Sequence, residues 1–393
     1  MVLNKQNDSA RISLRIMSYV LAVIVGAGFA MLIRDNQTPG YSKLNELEKV
    51  INQRFISDYE LDAIEDAAAE AMVYALGDRW SYYVPASEMQ QYNDNTSNSY
   101  VGIGVTIQGE SSEDGILIQQ VEPEGPAQMA GILPGDRIVA VNGQSVIGMN
   151  TTEVRSLVMG EAGTDVDLTV IRGEEQLNVT VTRQKILSKI AIYEMLPDNV
   201  GYIKIKNFNE HCAEQTIAAI DDLVAQGATS LLFDVRFNPG GYVSELTEVL
   251  DYLLPEGTLF RSVDYRGLED VRTSDKSCLE MPMAVLMNED SYSAAEFFAA
   301  ALSEYDWAIT VGQHTYGKGY FQTMNRLQDG SGVNLSIGKY FTPKGVSLAE
   351  VGGLEPDVPV DVDDETYMAI YRESLKAEED PQLQAALNAL KNP

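Results

Sequence analysis

Two cysteines, Cys212 and Cys278, and two histidines, His211 and His314, are all that 393 residues contain of either type. No C-x-x-C or H-E-x-x-H occurs, so a structural zinc site or a zinc peptidase is not expected, and neither is any other metal or cofactor. The cysteine pair leaves one disulfide open. No G-x-S-x-G or G-D-S-G-G surrounds any serine, and His314 alone stands where a Ser-His-Asp triad would need a base. Basic residues are also scarce, 28 Lys and Arg against 58 Asp and Glu, for a net charge of −30. That balance argues against nucleic acid as a partner and against electrostatic docking on anionic lipid.

What is present is a chain long enough for two or three domains, 45% hydrophobic and able to bury a core. Ile16 to Ile33 is 18 residues without a charge, preceded by Lys5, Arg11 and Arg15. As a helix it would span roughly 27 Å, close to one bilayer core. The flanking charges predict residues 1–15 in the cytoplasm, a signal-anchor over 16–33 and a single-pass membrane protein whose body is extracytoplasmic. A cleaved signal peptide, giving a secreted form, and a buried core helix are the rivals. Residues 34–43 read as a linker.

Residues 44–98 read as a helical N-terminal unit. Leu44, Leu47, Val50 and Ile51 recur at helical spacing, as do Leu61, Ile64, Ala68 and Met72, before GDRWSYYVPASEM breaks the pattern. From 99 to 183 short β-rich runs alternate with Gly and Pro. YVGIGV at Tyr100–Val105 and EGPAQMAGILPGDRIVAVNG at Glu124–Gly143 resemble a PDZ domain. Successive N–H groups of Gly102, Ile103, Gly104 and Val105 would form a nest for a terminal carboxylate, with the peptide added as a strand. Taken alone, GIGV also reads as a plain strand start.

After Gln184 the chain becomes α/β: VGYIKIKNF alternates, Ile217, Ile220 and Val224 mark a helix, and TSLLFDV and MAVLMN are buried-strand runs. Each strand ends in an unusual loop: Asp234–Gly241 with NPGG, Asn288–Ser293, and Gly317–Gln322. Ser293 opens S-A-A-E, a capping box whose serine would tie down backbone N–H groups. Serine is equally a nucleophile. With no triad motif and no cysteine in a recognisable setting, lysine is the remaining base, provided burial keeps part of it neutral. Lys318 lies between two glycines. G-x-x-x-x-G-K-[ST] is absent, since Gly319 follows it, and a solvated turn is the plain alternative. Gln322 falls four residues on and, in a strand, would share a face with Lys318.

In order and spacing, ALGDRWSYYVPASEM, the PDZ-like segment, GYIKIKNF, DVRFNPGG, SYSAAEFFAAAL, VGQHTYGKGYFQ, KYFTPKG and GLEPDVPV resemble the carboxy-terminal processing peptidases. These are Ser/Lys-dyad serine endopeptidases with an embedded PDZ domain. Lys318 follows Ser293 by 25 residues, as that family's pattern requires. The resemblance implies Ser293 as nucleophile, Lys318 as general base, Gln322 orienting Lys318, and an oxyanion hole from the N–H of Ala294 with Gly240 or Gly241. It implies polypeptide substrates held by their C-termini, an acyl-enzyme and a PDZ domain that gates the site. The sequence departs from the pattern at Phe237, at Gln313-His314 and at Tyr292. The expected architecture is an α+β, α/β multidomain chain: the helical N-terminal unit, the PDZ domain over 99–183, a layered α/β peptidase core over 184–360, and a polar helical tail over 361–393. A PDZ adaptor on an inactive scaffold and a triad using His314 remain the other readings, and assembly into a homo-oligomer is left open.

Overall fold

The computed structural model describes residues 42–112 and 114–391, so the charge-free run Ile16–Ile33 lies outside the described residues. Among the described residues no helix is long and apolar enough to cross a membrane. The chain divides at Ala68 into two compact units. In the first, helix Ser42–Arg54 ends before a break, and a second helix, Leu61–Tyr74, begins. The apolar residues that recur along the first of these helices are exposed, with Leu47 at 53% and Val50 at 45%.

The second unit is built on a six-stranded sheet in the order Ala191–Leu196, Val200–Ile205, Ser230–Asp234, Met283–Met287, Ala308–Gly312, Val358–Pro359. The first pair is antiparallel and the rest are parallel. The runs read as buried strands are buried at every position, because both faces are covered. On one face Leu231, Phe233, Val285 and Met287 pack with helices Cys212–Ala225, Val243–Leu253 and Ala294–Glu304. On the other, Leu232, Ala284, Leu286 and Val311 meet Leu383, Ala386 and Leu390 of helix Pro381–Lys391. The tail read as polar is therefore a core helix. Burying each leucine of that helix contributes about 1.5–3 kcal/mol.

An antiparallel sheet flanks this core. Strand Gly332–Phe341 pairs with Tyr82–Val84, Gly257–Asp264 and Tyr320–Arg326. A separate sheet, in the order Val105–Ser112, Gly115–Val121, Arg137–Val141, Asp165–Arg172, Glu175–Thr182, encloses its own core of Ile116, Ile118, Ile138, Leu168 and Val170. Its P-G-D turn is fastened by Asp136, 1% exposed, which accepts from Arg172 Nε and Nη2, both at 2.7 Å, and from Leu133 N–H at 2.9 Å. The ribbon pairing Ser99–Gly102 with Gln184–Leu187 joins the two ends of this segment. Cys212 and Cys278 are both free, and burial pushes the Cys212 thiol up to about 12.

Candidate active site

Strands Ser230–Asp234, Met283–Met287 and Ala308–Gly312 are neighbours and parallel. Their carboxyl ends therefore lie side by side, where α/β sheets place their ligands. The three loops singled out in the sequence follow these three strands and converge.

Ser293 is the N-cap of helix Ala294–Glu304, at φ 60° and ψ −126°. That is a sparsely populated conformation for a residue with a side chain, costing on the order of 1–3 kcal/mol. The capping box holds it, with the Glu296 carboxylate accepting the Ser293 N–H at 2.8 Å. Ser293 is 9% exposed, and its Oγ accepts from the hydroxyl of Tyr340 at 3.1 Å. Burial raises the Tyr340 pKa, so it stays a neutral donor.

Glu296 does more than cap. It is fully buried and accepts four donors: the N–H of Ser293, the N–H of Lys318 at 3.0 Å, the Thr315 hydroxyl at 2.7 Å, and the N–H of Gly317. One carboxylate thus ties the Ser293 turn to the Lys318 loop. Burial pushes its pKa up against the pull of these donors.

The NPGG loop lies against Ser293. Asn238, fully buried, donates to Ile205 O at 2.7 Å and accepts from Gly240 N–H at 2.8 Å. Gly240 has φ 86°, and a Cβ there would come within 2.7 Å of Ser293 Cβ and 2.8 Å of Ala294 N. Asn238 occupies the Gly240 N–H, whereas those of Gly241 and Ala294 have no acceptor among the described residues.

Lys318 is 9% exposed, and burial lowers its pKa to about 8 against the opposing pull of Glu296 and Asp78. Its Nζ lies 4.2 Å from the ring centroid of Trp80 and 6.0 Å from that of Tyr292. Trp80, Tyr292 and Tyr316 form one aromatic cluster, 5.4–5.7 Å between centroids, with the Arg79 guanidinium over Trp80 and Tyr316. The departure at Tyr292 thus supplies a wall of the lysine's pocket. Nζ makes no hydrogen bond to Ser293 Oγ in this conformation. Nor does the structure bring Gln322 to it. Lys318 precedes strand Tyr320–Arg326, whose register is irregular at Phe321/Gln322, so strand alternation does not align the two side chains. The Gln322 amide donates to Tyr320 O and Ser336 Oγ, each at 3.0 Å. His314 is exposed and bonds neither Ser293 nor a carboxylate.

In the loop between strands Ser99–Gly102 and Val105–Ser112, the N–H groups of Ile103 and Gly104 have no acceptor among the described residues, while their carbonyls accept from Ala127 and Glu122 at 2.8 Å. They border a groove of about 270 Å³ lined by Ile103, Val105, Ile138 and Val158. Arg155, on helix Thr151–Val158, also lines it and has no ion pair among the described residues. The sequence reading passed over Arg155, as it did Trp80, Tyr340 and the second task of Glu296. The capping box was the signal for Glu296; Arg155 carried none, because its lack of an ion pair shows only in the fold.

Residues 199–360 match Peptidase family S41 and residues 117–172 match the PDZ domain. The chain is 32% identical over 356 residues to the carboxy-terminal processing protease CtpA of Bacillus subtilis, covering 89% of this chain and 76% of that protein. It is 33% identical over 327 residues to a probable CtpA-like serine protease of Staphylococcus aureus, covering 81% of this chain and 65% of that one. Among solved structures, the photosystem II D1 C-terminal processing protease aligns with TM-score 0.46 and 28% identity, over 80% of this chain and 86% of that one. The chain belongs to the carboxy-terminal processing proteases of peptidase family S41. It is a serine-type peptidase with an embedded PDZ domain.

Proposed function

We propose that the chain is an endopeptidase that captures polypeptide C-termini in its PDZ groove and cleaves upstream with Ser293 as nucleophile and Lys318 as general base. The observation that carries this reading is the shared carboxylate of Glu296, bonded to the backbone N–H of both residues. A base with pKa about 8 leaves on the order of a tenth of the amine neutral at pH 7.

In the proposed cycle the Lys318 side chain leaves the Trp80 face and takes the Oγ proton as Ser293 attacks the scissile carbonyl. Gln322 exchanges its present partners for the amine and orients it. The N–H groups of Ala294 and Gly241 receive the developing oxyanion, an arrangement worth about 10²–10³ in rate per donor. The Lys318 ammonium then gives its proton to the leaving amine. The neutral Lys318 amine so regenerated takes a proton from the water that attacks the acyl-Ser293 and returns it to Ser293 Oγ as the acyl group leaves. The free N–H groups of Ile103 and Gly104 suit a terminal carboxylate. Purified Ser293→Ala and Lys318→Ala, given an unfolded substrate with a free C-terminus, should be inactive. Undiminished cleavage by either would remove the dyad.

The charge-free run Ile16–Ile33 supports a membrane anchor with the catalytic body outside the cytoplasm. Deleting residues 1–33 should release the enzyme from carbonate-washed membranes, and full-length chain recovered in the soluble fraction would contradict the anchor.

A further inference from the structure

The sequence departure at Phe237 and helix Asp364–Tyr371 meet at one place. Phe237 holds a left-handed backbone, φ 60°, unusual for so bulky a residue. Its ring lies edge-on to Tyr367, 4.9 Å between centroids at 73°, and to Tyr371, 5.3 Å at 65°. The Tyr367 hydroxyl donates to Asp290 Oδ2 at 2.6 Å. Tyr367 therefore touches two catalytic loops at once: with its ring, the loop that ends in Gly240 and Gly241, and with its hydroxyl, the loop that ends in Ser293.

The same two loops are cross-linked beneath it. Phe237 N–H donates to Asn288 Oδ1 at 3.0 Å, Tyr292 N–H to Asn238 O at 3.1 Å, and Ser291 Oγ to Val235 O at 2.8 Å. The residue before Phe237 is held by the tail as well. Arg236, 5% exposed, pairs with Asp380 at 2.8 Å and donates to Gln382 Oε1 at 3.0 Å. Two consecutive residues of the glycine loop thus have partners in the C-terminal segment. The left-handed turn at Phe237 sets the course of the chain toward the Gly241 N–H, so whatever fixes that turn also fixes the donor.

We propose that Tyr367 and Tyr371 are positioning residues of the catalytic site: helix Asp364–Tyr371 straps the glycine loop and the nucleophile loop into the register that aims the N–H groups of Gly241 and Ala294 at the reacting carbonyl. The proposal rests on Ser293 as the nucleophile. A strap acting on the oxyanion affects turnover, since ground-state binding of the substrate does not use those donors. A helix serving only as a lid over the core would affect stability alone.

The test uses the full chain with an internally quenched peptide substrate, alongside the affinity of a peptide aldehyde that forms a hemiacetal with an active serine. Tyr367→Ala/Tyr371→Ala should lower kcat at least tenfold with KM within twofold, and aldehyde affinity should fall in parallel. Tyr367→Phe, which keeps the ring on Phe237 but loses the hydrogen bond to Asp290, should give a kcat between those of the wild type and the double variant. A double variant with wild-type kcat and aldehyde affinity, measured beside an inactive Ser293→Ala, overturns the strap alone. An active Ser293→Ala overturns the nucleophile instead. Should the double variant fail to fold, Tyr371→Ala decides, because Tyr371 is 58% exposed and its loss leaves the core intact. A kcat reduced threefold or more supports the strap, and an unchanged kcat overturns it.

Discussion

The Nζ of Lys318 rests 4.2 Å from the ring centroid of Trp80, with no hydrogen bond to Ser293. The contact does two things at once. An indole face attracts the ammonium form, and the burial it provides penalises that form. Burial lowers the Lys318 pKa to about 8, with Glu296 and Asp78 pulling the other way.

The pH dependence follows with a definite sign. Only the neutral amine can accept the serine proton, so kcat/KM should rise with pH and level off above about 8. Trp80→Ala admits water, relieves part of that burial, and should move that limb toward the ordinary lysine value of 10.5. A pH–rate profile of both enzymes checks this, and superimposable profiles would show that Trp80 does not tune the base.

Glu296→Gln is nearly isosteric, yet it should be severe. Its amide would present N–H groups to backbone N–H donors in a fully buried site. We expect a loss of about 3 kcal/mol in urea unfolding and near-complete loss of activity. A variant with full stability and full activity would mean that the shared carboxylate does not couple the two loops.

These two features also mark where the sequence stops being readable. The strands were legible because Ser230–Asp234 and Met283–Met287 are buried on both faces and so are continuously apolar. The loops were legible because Gly, Pro and Asn accumulate where the chain turns. Ser293 as a helix cap was legible from Glu296 three residues on. The partner of Lys318 was not, because Trp80 lies in a distant part of the chain and reaches the site only through the pairing of Tyr82–Val84 with Gly332–Phe341. The tail read as polar because charged residues dominate RESLKAEED just before its last helix, although Leu383, Ala386, Leu387 and Leu390 recur at helical spacing and complete a core face. Helix Ser42–Arg54 was legible from the spacing of Leu44, Leu47, Val50 and Ile51, but periodicity does not say whether such a stripe is covered.

Gly240→Ala should be among the most damaging single-methyl changes in the chain. The added Cβ would meet Ser293 Cβ at 2.7 Å and Tyr292 O at 2.8 Å, on a backbone with φ 86°. Displacing Ser293 and the Ala294 N–H together should reduce kcat by at least about 100-fold. Steady-state kinetics beside a melting curve separate this from unfolding, and a kcat within tenfold of wild type would place the oxyanion donors elsewhere.

Arg155→Glu reverses a charge that lines the PDZ groove and has no ion pair among the described residues. On a Ser293→Ala background, fluorescence anisotropy should show a labelled peptide with a free C-terminus bound at least about tenfold more weakly, roughly 1.4 kcal/mol. The C-terminally amidated peptide should bind weakly to both proteins. Equal binding of free and amidated peptides would deny the groove its carboxylate.

The central claim is that Ser293 is acylated with Lys318 as its base. Acid quenching during turnover of a peptide substrate, followed by intact-mass and peptide mapping, tests it most directly. The account predicts an acyl adduct on the peptide containing Ser293 in the wild-type enzyme and none in Lys318→Ala. An adduct on another residue, or acylation of Ser293 at an undiminished rate without Lys318, would contradict it.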